Sequence, residues 1–224
     1  KLNKNLAKTL LNKRVSMKLR PKRFKSLLQE IDDFNNPRIE LEQYITPLDI
    51  SVALLQHVND LISLDECAVA DLGCGTGMLL LGSTLLGAKF AVGVDCCQNA
   101  LSVAKNNIDK FEFEGSTTTN LVLADVTKFV PFIGKFDVVL TNPPFGTDVA
   151  FVLAGLRMLR PGGKLFSLHK STTRNFLTKM AKNWDTVNGM ECVAELKWNL
   201  EPTYKFHKKT NVDINVILCS FEKR

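Results

Sequence analysis

Residues 68–81 read Ala-Val-Ala-Asp-Leu-Gly-Cys-Gly-Thr-Gly-Met-Leu-Leu-Leu. A short apolar run, a glycine-rich turn and a second apolar run predict a strand over 68–72 and a helix over 77–86. Gly73, Gly75 and Gly77 let the backbone approach a ligand closely. The helix start offers free N–H groups. A dinucleotide fingerprint spaces its glycines G-x-G-x-x-G. Here the third glycine comes one residue early, Met78 follows it, and an acid, Asp71, opens the turn. That acid suits a cationic ligand better than a pyrophosphate.

Downstream, strands are expected at 90–94 and 121–124, with a helix near 99–111 between them. The first of these strands ends in Asp95, placed to bind two ribose hydroxyls. The second ends at Asp125, which can accept from an adenine amino group. Acids at three consecutive strand ends outline a nucleoside-shaped site along the carboxyl edge of a parallel sheet. A fourth strand, 136–141, runs into Asn142-Pro143-Pro144-Phe145. This loop can grip a planar group that carries an exocyclic amine. Asn142 and the Pro143 carbonyl accept its two hydrogens, and Phe145 stacks on its face. The prolines fix φ and keep the carbonyls out of helix pairing. Asn-Pro also opens ordinary turns, but here it follows a buried strand and three aligned acids.

The rest of the chain continues the alternation. Helices are expected at 21–34, 48–62, 148–159 and 171–184, with a connector at 41–47. Arg160-Pro-Gly-Gly163 reads as a turn feeding a strand at 164–168. Further strands are expected at 192–198 and 212–221, the last antiparallel. This pattern predicts an α/β fold with a doubly wound, mostly parallel sheet. No internal linker is evident, so residues 21–224 form one domain behind a basic arm, 1–20.

The chain has 29 Lys and Arg against 23 Asp and Glu, net +6. Residues 1–25 hold ten of the bases and no acid. The charge therefore sits in the arm, where it suits phosphate contact, and Leu2, Leu6 and Leu10 there allow a short helix. No apolar run is long enough to span a membrane, and no secretory signal is evident. The six cysteines form no C-x-x-C pair and lie near no His at zinc spacing. They read as reduced, intracellular packing residues, with no structural metal.

Asp71-Leu-Gly-Cys-Gly-Thr-Gly77 with a downstream Asn-Pro-Pro-Phe resembles the class I S-adenosylmethionine-dependent methyltransferases that modify amines. Leu41-Glu-Gln-Tyr-Ile-Thr-Pro47, Asn142-Pro-Pro-Phe-Gly-Thr147, Ser167-Leu-His-Lys-Ser-Thr-Thr-Arg174 and Tyr204-Lys-Phe-His-Lys-Lys209 are similar to the methyltransferase-like protein 5 family. The similarity runs from about Met17 onward. It implies a Rossmann-like sheet of seven strands and methylation of adenine N6 in small-subunit 18S ribosomal RNA. It also implies a nuclear, nucleolar and cytoplasmic location. S-adenosylmethionine is the implied cofactor and S-adenosylhomocysteine the product. Backbone at Gly73, Cys74, Gly75 and Gly77 cradles the methionine part, with Asp71 near its charge. Asp95 binds ribose, Cys96 lies beside the adenine, and Asp125 and the Val126 N–H read its edge. Gln43, Tyr44 and Thr46 close over the cofactor.

The family match assigns Lys170, Arg174, Phe206, His207, Lys208 and Lys209 to RNA; Phe206 is placed for a base to stack on. His169 ends a strand at the active edge and reads as structural. Family members usually carry a short Gly-, Asn- and Lys-rich stretch after the Pro-Pro-Phe-Gly-Thr segment, whereas here Thr147 meets Asp148 directly. In a sheet of this class the strand near 120–124 lies at one edge. It is apolar on both faces, an aggregation hazard unless another chain covers it. The resemblance implies the cover, a small zinc-binding activator subunit. The rivals are guanine-N2 or protein glutamine methylation, since both targets use Asn-Pro-Pro-aromatic, and a cofactor-bound RNA-binding assembly factor without turnover. The basic arm disfavours glutamine, and intact Asp71, Asp95, Asp125 and Asn142 disfavour loss of turnover.

Overall fold

Alternating apolar strands and helices build a sheet covered on both faces. The computed structural model describes residues 19–111, 118–200 and 212–224. The strands are β1 Ala68–Leu72, β2 Phe90–Asp95, β3 Thr118–Leu123, β4 Phe136–Thr141, β5 Leu159–Lys170, β6 Val187–Leu200 and β7 Val212–Lys223. They form one sheet in the order β3-β2-β1-β4-β5-β7-β6. Strands β1 to β5 pair in parallel, and β7 lies antiparallel between β5 and β6. The chain winds from β1 out to β3, then returns to place β4 on the other side of β1. A crevice opens at such a reversal, at the carboxyl ends of β1 and β4.

The helices are α1 Pro21–Leu28, α2 Leu48–Leu61, α3 Met78–Leu85, α4 Gln98–Lys110, α5 Asp148–Met158 and α6 Arg174–Lys182. On one face Phe24, Leu28, Leu54, Leu55 and Leu81 pack against Val69, Leu140, Phe166 and Leu218. On the other, Phe151, Val152, Leu156 and Leu177 pack against Ala70, Val139, Leu165 and Ile217. Burial on both faces explains why the inner strands are apolar throughout instead of alternating.

Several boundaries differ from expectation. The first helix stops at Leu28 instead of reaching residue 34. Asp32, Asp33, Asn35 and Asn36 beyond it are weak helix formers, and Asp32 is captured elsewhere. Its N–H donates to Asn107 Oδ1 (2.9 Å) and its carbonyl accepts from Asn107 Nδ2 (3.0 Å). The turn at 160–163 lies inside β5 as an irregularity, since pairing passes from Phe136–Leu159 to Val138–Lys164. The helix expected from 171 begins as one 3-10 turn, Ser171–Thr173, where the Thr173 hydroxyl donates to the Lys170 carbonyl at 2.8 Å. Strand β6 begins at Val187, and β3 at Thr118, where three residues pair along Phe90 to Val92. Thr147 leads straight into α5, its carbonyl accepting from Phe151 N–H at 3.1 Å. Residues 1–18 of the basic arm lie outside the described residues.

Candidate active site

The glycine turn after β1 is left-handed at Gly73, Gly75 and Gly77, with φ of +68°, +54° and +94°. A Cβ at position 75 would also fall 2.8 Å from Phe34 Cζ. Glycine is thus required there twice, by conformation and by the ring above it. Asp71, 1% exposed, accepts the Leu80 N–H on one oxygen at 2.9 Å and so caps the first turn of α3. Its Oδ1 is buried without a partner. Burial pushes this carboxyl up to about 7; the Leu80 N–H opposes the rise and Asp95 adds to it. A buried, unpaired carboxylate oxygen is costly until a cation or donor meets it.

Asp95 accepts Gly75 N–H (2.9 Å) and Cys97 N–H (2.8 Å), one on each oxygen. Burial raises its pKa, opposed by these backbone donors. Asp125 accepts the Thr127 N–H (3.0 Å) and hydroxyl (2.6 Å) on one oxygen and meets Lys128 Nζ (2.9 Å) with the other. The Thr127 hydroxyl, then Lys128, holds its carboxyl below the ordinary range. A carboxylate has about four acceptor positions, so both acids can still take a hydroxyl or an amine.

The connector before α2 closes the other side. Glu42 adopts φ +48°, and its carboxylate accepts the Phe145 N–H at 2.7 Å. Gln43 Oε1 accepts the Arg38 N–H at 2.9 Å. The Tyr44 ring lies 6.4 Å from that of Phe145, tilted by 35°. Burial, with Glu42 and Asp148 nearby, drives the Tyr44 phenol upward, so it stays neutral. Asn142 Nδ2 donates to the Thr46 hydroxyl at 3.1 Å. Pro143 is buried, and the Pro144 carbonyl accepts from the Thr147 N–H (3.1 Å) and hydroxyl (2.7 Å).

These segments line one open cleft. The connector contributes Gln43, Tyr44 and Thr46, and the turn contributes Asp71, Gly73, Cys74 and Gly75. Asp95, Cys96, Asp125 and Val126 come from the next two strand ends, and Asn142 with Pro144 from the fourth. Gly77, Pro143 and Phe145 adjoin the cleft but do not line it. Gly77 instead precedes α3. Lys170 Nζ rests 3.5 Å above the Phe145 ring. Arg174 is held by Glu195 and the Cys192 thiol. Phe206, His207, Lys208 and Lys209 lie outside the described residues. His169, 3% exposed, bonds Asp148 through Nδ1 at 2.6 Å, and this bond holds the Asp148 carboxyl down. That pairing anchors the start of α5 and fits a structural role. Among the described residues no three His, Cys, Asp or Glu side chains gather as a metal site, and no helix is long and apolar enough to cross a membrane.

Three residues were not anticipated. Phe34 roofs Gly75, and Glu42 ties the connector to the Asn-Pro-Pro-Phe loop. Asn107, fully buried, staples Asp32 to the Thr76 carbonyl (2.9 Å). Each acts across a long sequence separation, which periodicity does not report.

Residues 47–194 match the family model described as methyltransferase small domain. The chain is 41% identical over 206 residues to the Caenorhabditis elegans rRNA N(6)-adenosine-methyltransferase metl-5, covering 88% of this chain and 95% of that protein. It is 38% identical over 208 residues to the Danio rerio rRNA N(6)-adenosine-methyltransferase METTL5, covering 89% and 97%. The chain belongs to the methyltransferase-like protein 5 family. The fold of this family member also matches the crystal structure of PH1948 from Pyrococcus horikoshii. That match has a TM-score of 0.74 at 29% identity and covers 91% of this chain and 96% of the other. Family and fold imply S-adenosylmethionine as the methyl donor, and the cleft fits it. The unpartnered Asp71 oxygen suits a cation, and the acids beyond it suit a nucleoside.

Proposed function

We propose that this protein transfers a methyl group from S-adenosylmethionine to N6 of an adenine in small-subunit 18S ribosomal RNA. The observation that carries the proposal is one continuous cleft, in which Asp125, Asp95 and Asp71 lead along the strand ends to Asn142. The family relatives named as rRNA N(6)-adenosine-methyltransferases support the choice of base.

The cofactor supplies an electrophilic methyl group on a sulfonium sulfur. The glycine turn holds its amino-acid part, with Asp71 toward its positive charge. Asp95 takes the ribose. Asp125 and Val126 take the adenine edge, with Cys96 alongside. Gln43 and Tyr44 form the roof. An adenine N6 is a weak nucleophile, because its lone pair is delocalised into the ring. Asn142 and the Pro143 carbonyl accept both of its hydrogens, aim the nitrogen and favour rehybridisation as positive charge develops. No base is needed before transfer, since the methylated cation is acidic and sheds its proton afterwards.

Phe145 holds the extruded base by stacking. In this structure Lys170 lies on that ring. A cation–π contact is worth about 0.5–1 kcal/mol at an exposed site, and a stacked base about 1–3 kcal/mol. The base therefore wins the ring, and Lys170 is released to an RNA phosphate. The basic arm, Arg174 and the segment from Phe206 to Lys209 extend the RNA surface in this reading. The same reading places the protein where ribosomal RNA is made and used, in the nucleolus, nucleus and cytoplasm.

A heterodimer with a small zinc-binding activator subunit completes the proposal. Strand β3 lies at one end of the sheet order and pairs only with β2 among the described residues. Leu123 on it is 55% exposed, and Phe129, Phe132 and Ile133 nearby in sequence are 67%, 45% and 57% exposed. An open apolar edge of this kind suits strand addition.

Nucleoside analysis of RNA methylated by the purified protein tests the choice of base. Labelled N6-methyladenosine is expected. Label in N2-methylguanosine, or in a protein glutamine, would overturn the proposal.

A further inference from the structure

We infer that Thr46 is a positioning residue for methyl transfer: its hydroxyl holds the Asn142 side-chain amide at the acceptor end of the cleft, in the arrangement that leaves the carbonyl oxygen for the acceptor amine. The inference rests on the adenine-N6 reading and adds to it a residue that acts on Asn142 as well as bordering the cofactor.

A primary amide has two ends of similar size and opposite function. The NH2 end donates and the oxygen accepts. Its partners decide which end faces a ligand, and a hydroxyl, which both donates and accepts, can hold either end. The chemistry assigned to Asn142 uses the oxygen alone, because an exocyclic amine brings hydrogens. An amide turned by half a rotation would set donors against donors. It would lose the bond that strengthens as charge develops, and it would instead suit a base carbonyl. In the structure the NH2 end is committed, with Nδ2 donating to Thr46 Oγ1 at 3.1 Å across 96 residues of sequence. Among the described residues Asn142 Oδ1 accepts no hydrogen bond, which leaves it for the substrate.

Thr46 is itself held firmly enough to serve as a reference. It is 7% exposed, and its carbonyl accepts from the Ser51 hydroxyl at 3.1 Å. It precedes Pro47, whose ring restricts the residue before it. Pro47 caps α2, its carbonyl accepting from the Ser51 N–H at 2.9 Å. Threonine is also stiff at χ1. The start of α2 thus positions Thr46, and Thr46 positions Asn142.

Two variants separate this role from simple contact with the cofactor. Thr46→Val keeps the shape and removes the hydroxyl, whereas Thr46→Ser keeps the hydroxyl. Cofactor affinity by calorimetry and single-turnover methyl transfer to RNA at saturating cofactor are compared, with Asn142→Ala as reference. Thr46→Val is expected to lower the single-turnover rate about tenfold or more, the worth of one hydrogen bond, with cofactor affinity within about threefold. Thr46→Ser is expected to stay within about threefold of wild type in rate, and Thr46→Val combined with Asn142→Ala to be no slower than Asn142→Ala alone. The inference is overturned if Thr46→Val weakens cofactor binding but transfers at the wild-type rate once saturated, or if Thr46→Ser is as slow as Thr46→Val. If Asn142→Ala itself keeps its rate, the adenine-N6 reading has failed. If Asn142→Ala is slow while Thr46→Val is fast, only the role of Thr46 has failed.

Discussion

Asn142→Ala is expected to slow single-turnover methyl transfer to RNA at least about a hundredfold, with cofactor affinity close to wild type. A hundredfold loss corresponds to about 2.7 kcal/mol of transition-state stabilisation. That size fits a preorganised acceptor whose bond strengthens only as charge appears on the nitrogen. The side chain lies at the carboxyl end of β4, at the end of the cleft proposed for the acceptor base, so cofactor binding is expected to be spared. Asp95→Ala is expected to behave oppositely. Its carboxylate receives the N–H groups of Gly75 and Cys97 and, in the proposed complex, the ribose. Cofactor affinity therefore falls first, and the rate recovers at high cofactor concentration. Calorimetry and single-turnover kinetics on the two variants measure both effects. A rate for Asn142→Ala within about threefold of wild type would remove this residue from the reaction.

Leu123→Lys is expected to abolish pairing with the proposed activator subunit and to lower the yield of soluble protein. Leu123 is 55% exposed on the outermost strand. A charge there costs the isolated fold little, since exposed substitutions usually stay within about 0.5 kcal/mol. An edge strand carrying Lys is a poor template for another strand. Cofactor binding by the variant, measured in the same preparation, shows that the site is intact. Co-purification of the activator with the variant at the wild-type ratio, or a soluble and fully active wild-type monomer, would refute the proposed interface.

The parts of the site legible in the sequence are those encoded locally. Asp71, Asp95 and Asp125 each stand where an apolar run ends, and the glycines at 73, 75 and 77 mark a turn that only flexible backbone can make. Asn142-Pro-Pro-Phe announces itself by composition. These features pointed to a parallel sheet with its site at the carboxyl edge, because a parallel sheet gathers its strand ends on one side. What stayed hidden depends on pairs far apart in the chain. Glu42 meets the Phe145 N–H across 103 residues, and Asn107 joins Asp32 across 75. Neither leaves a period or a spacing to read. The length of the first helix was missed for the same reason, since capture of Asp32 by Asn107 helps to end the helical path. The family match assigns Lys170 and Arg174 to RNA, and in the structure one lies on Phe145 and the other is held by Glu195. Charge alone does not say which partner a long side chain has found.

The central claim is that the cleft ending at Asn142 methylates adenine N6 in ribosomal RNA. Mapping N6-methyladenosine in the small-subunit ribosomal RNA of cells carrying either wild-type protein or Asn142→Ala, at equal protein abundance, tests it most directly. The expected result is an 18S adenosine methylated with the wild-type protein and unmethylated with the variant. An unchanged map, with every N6-methyladenosine retained in the variant, would contradict the account.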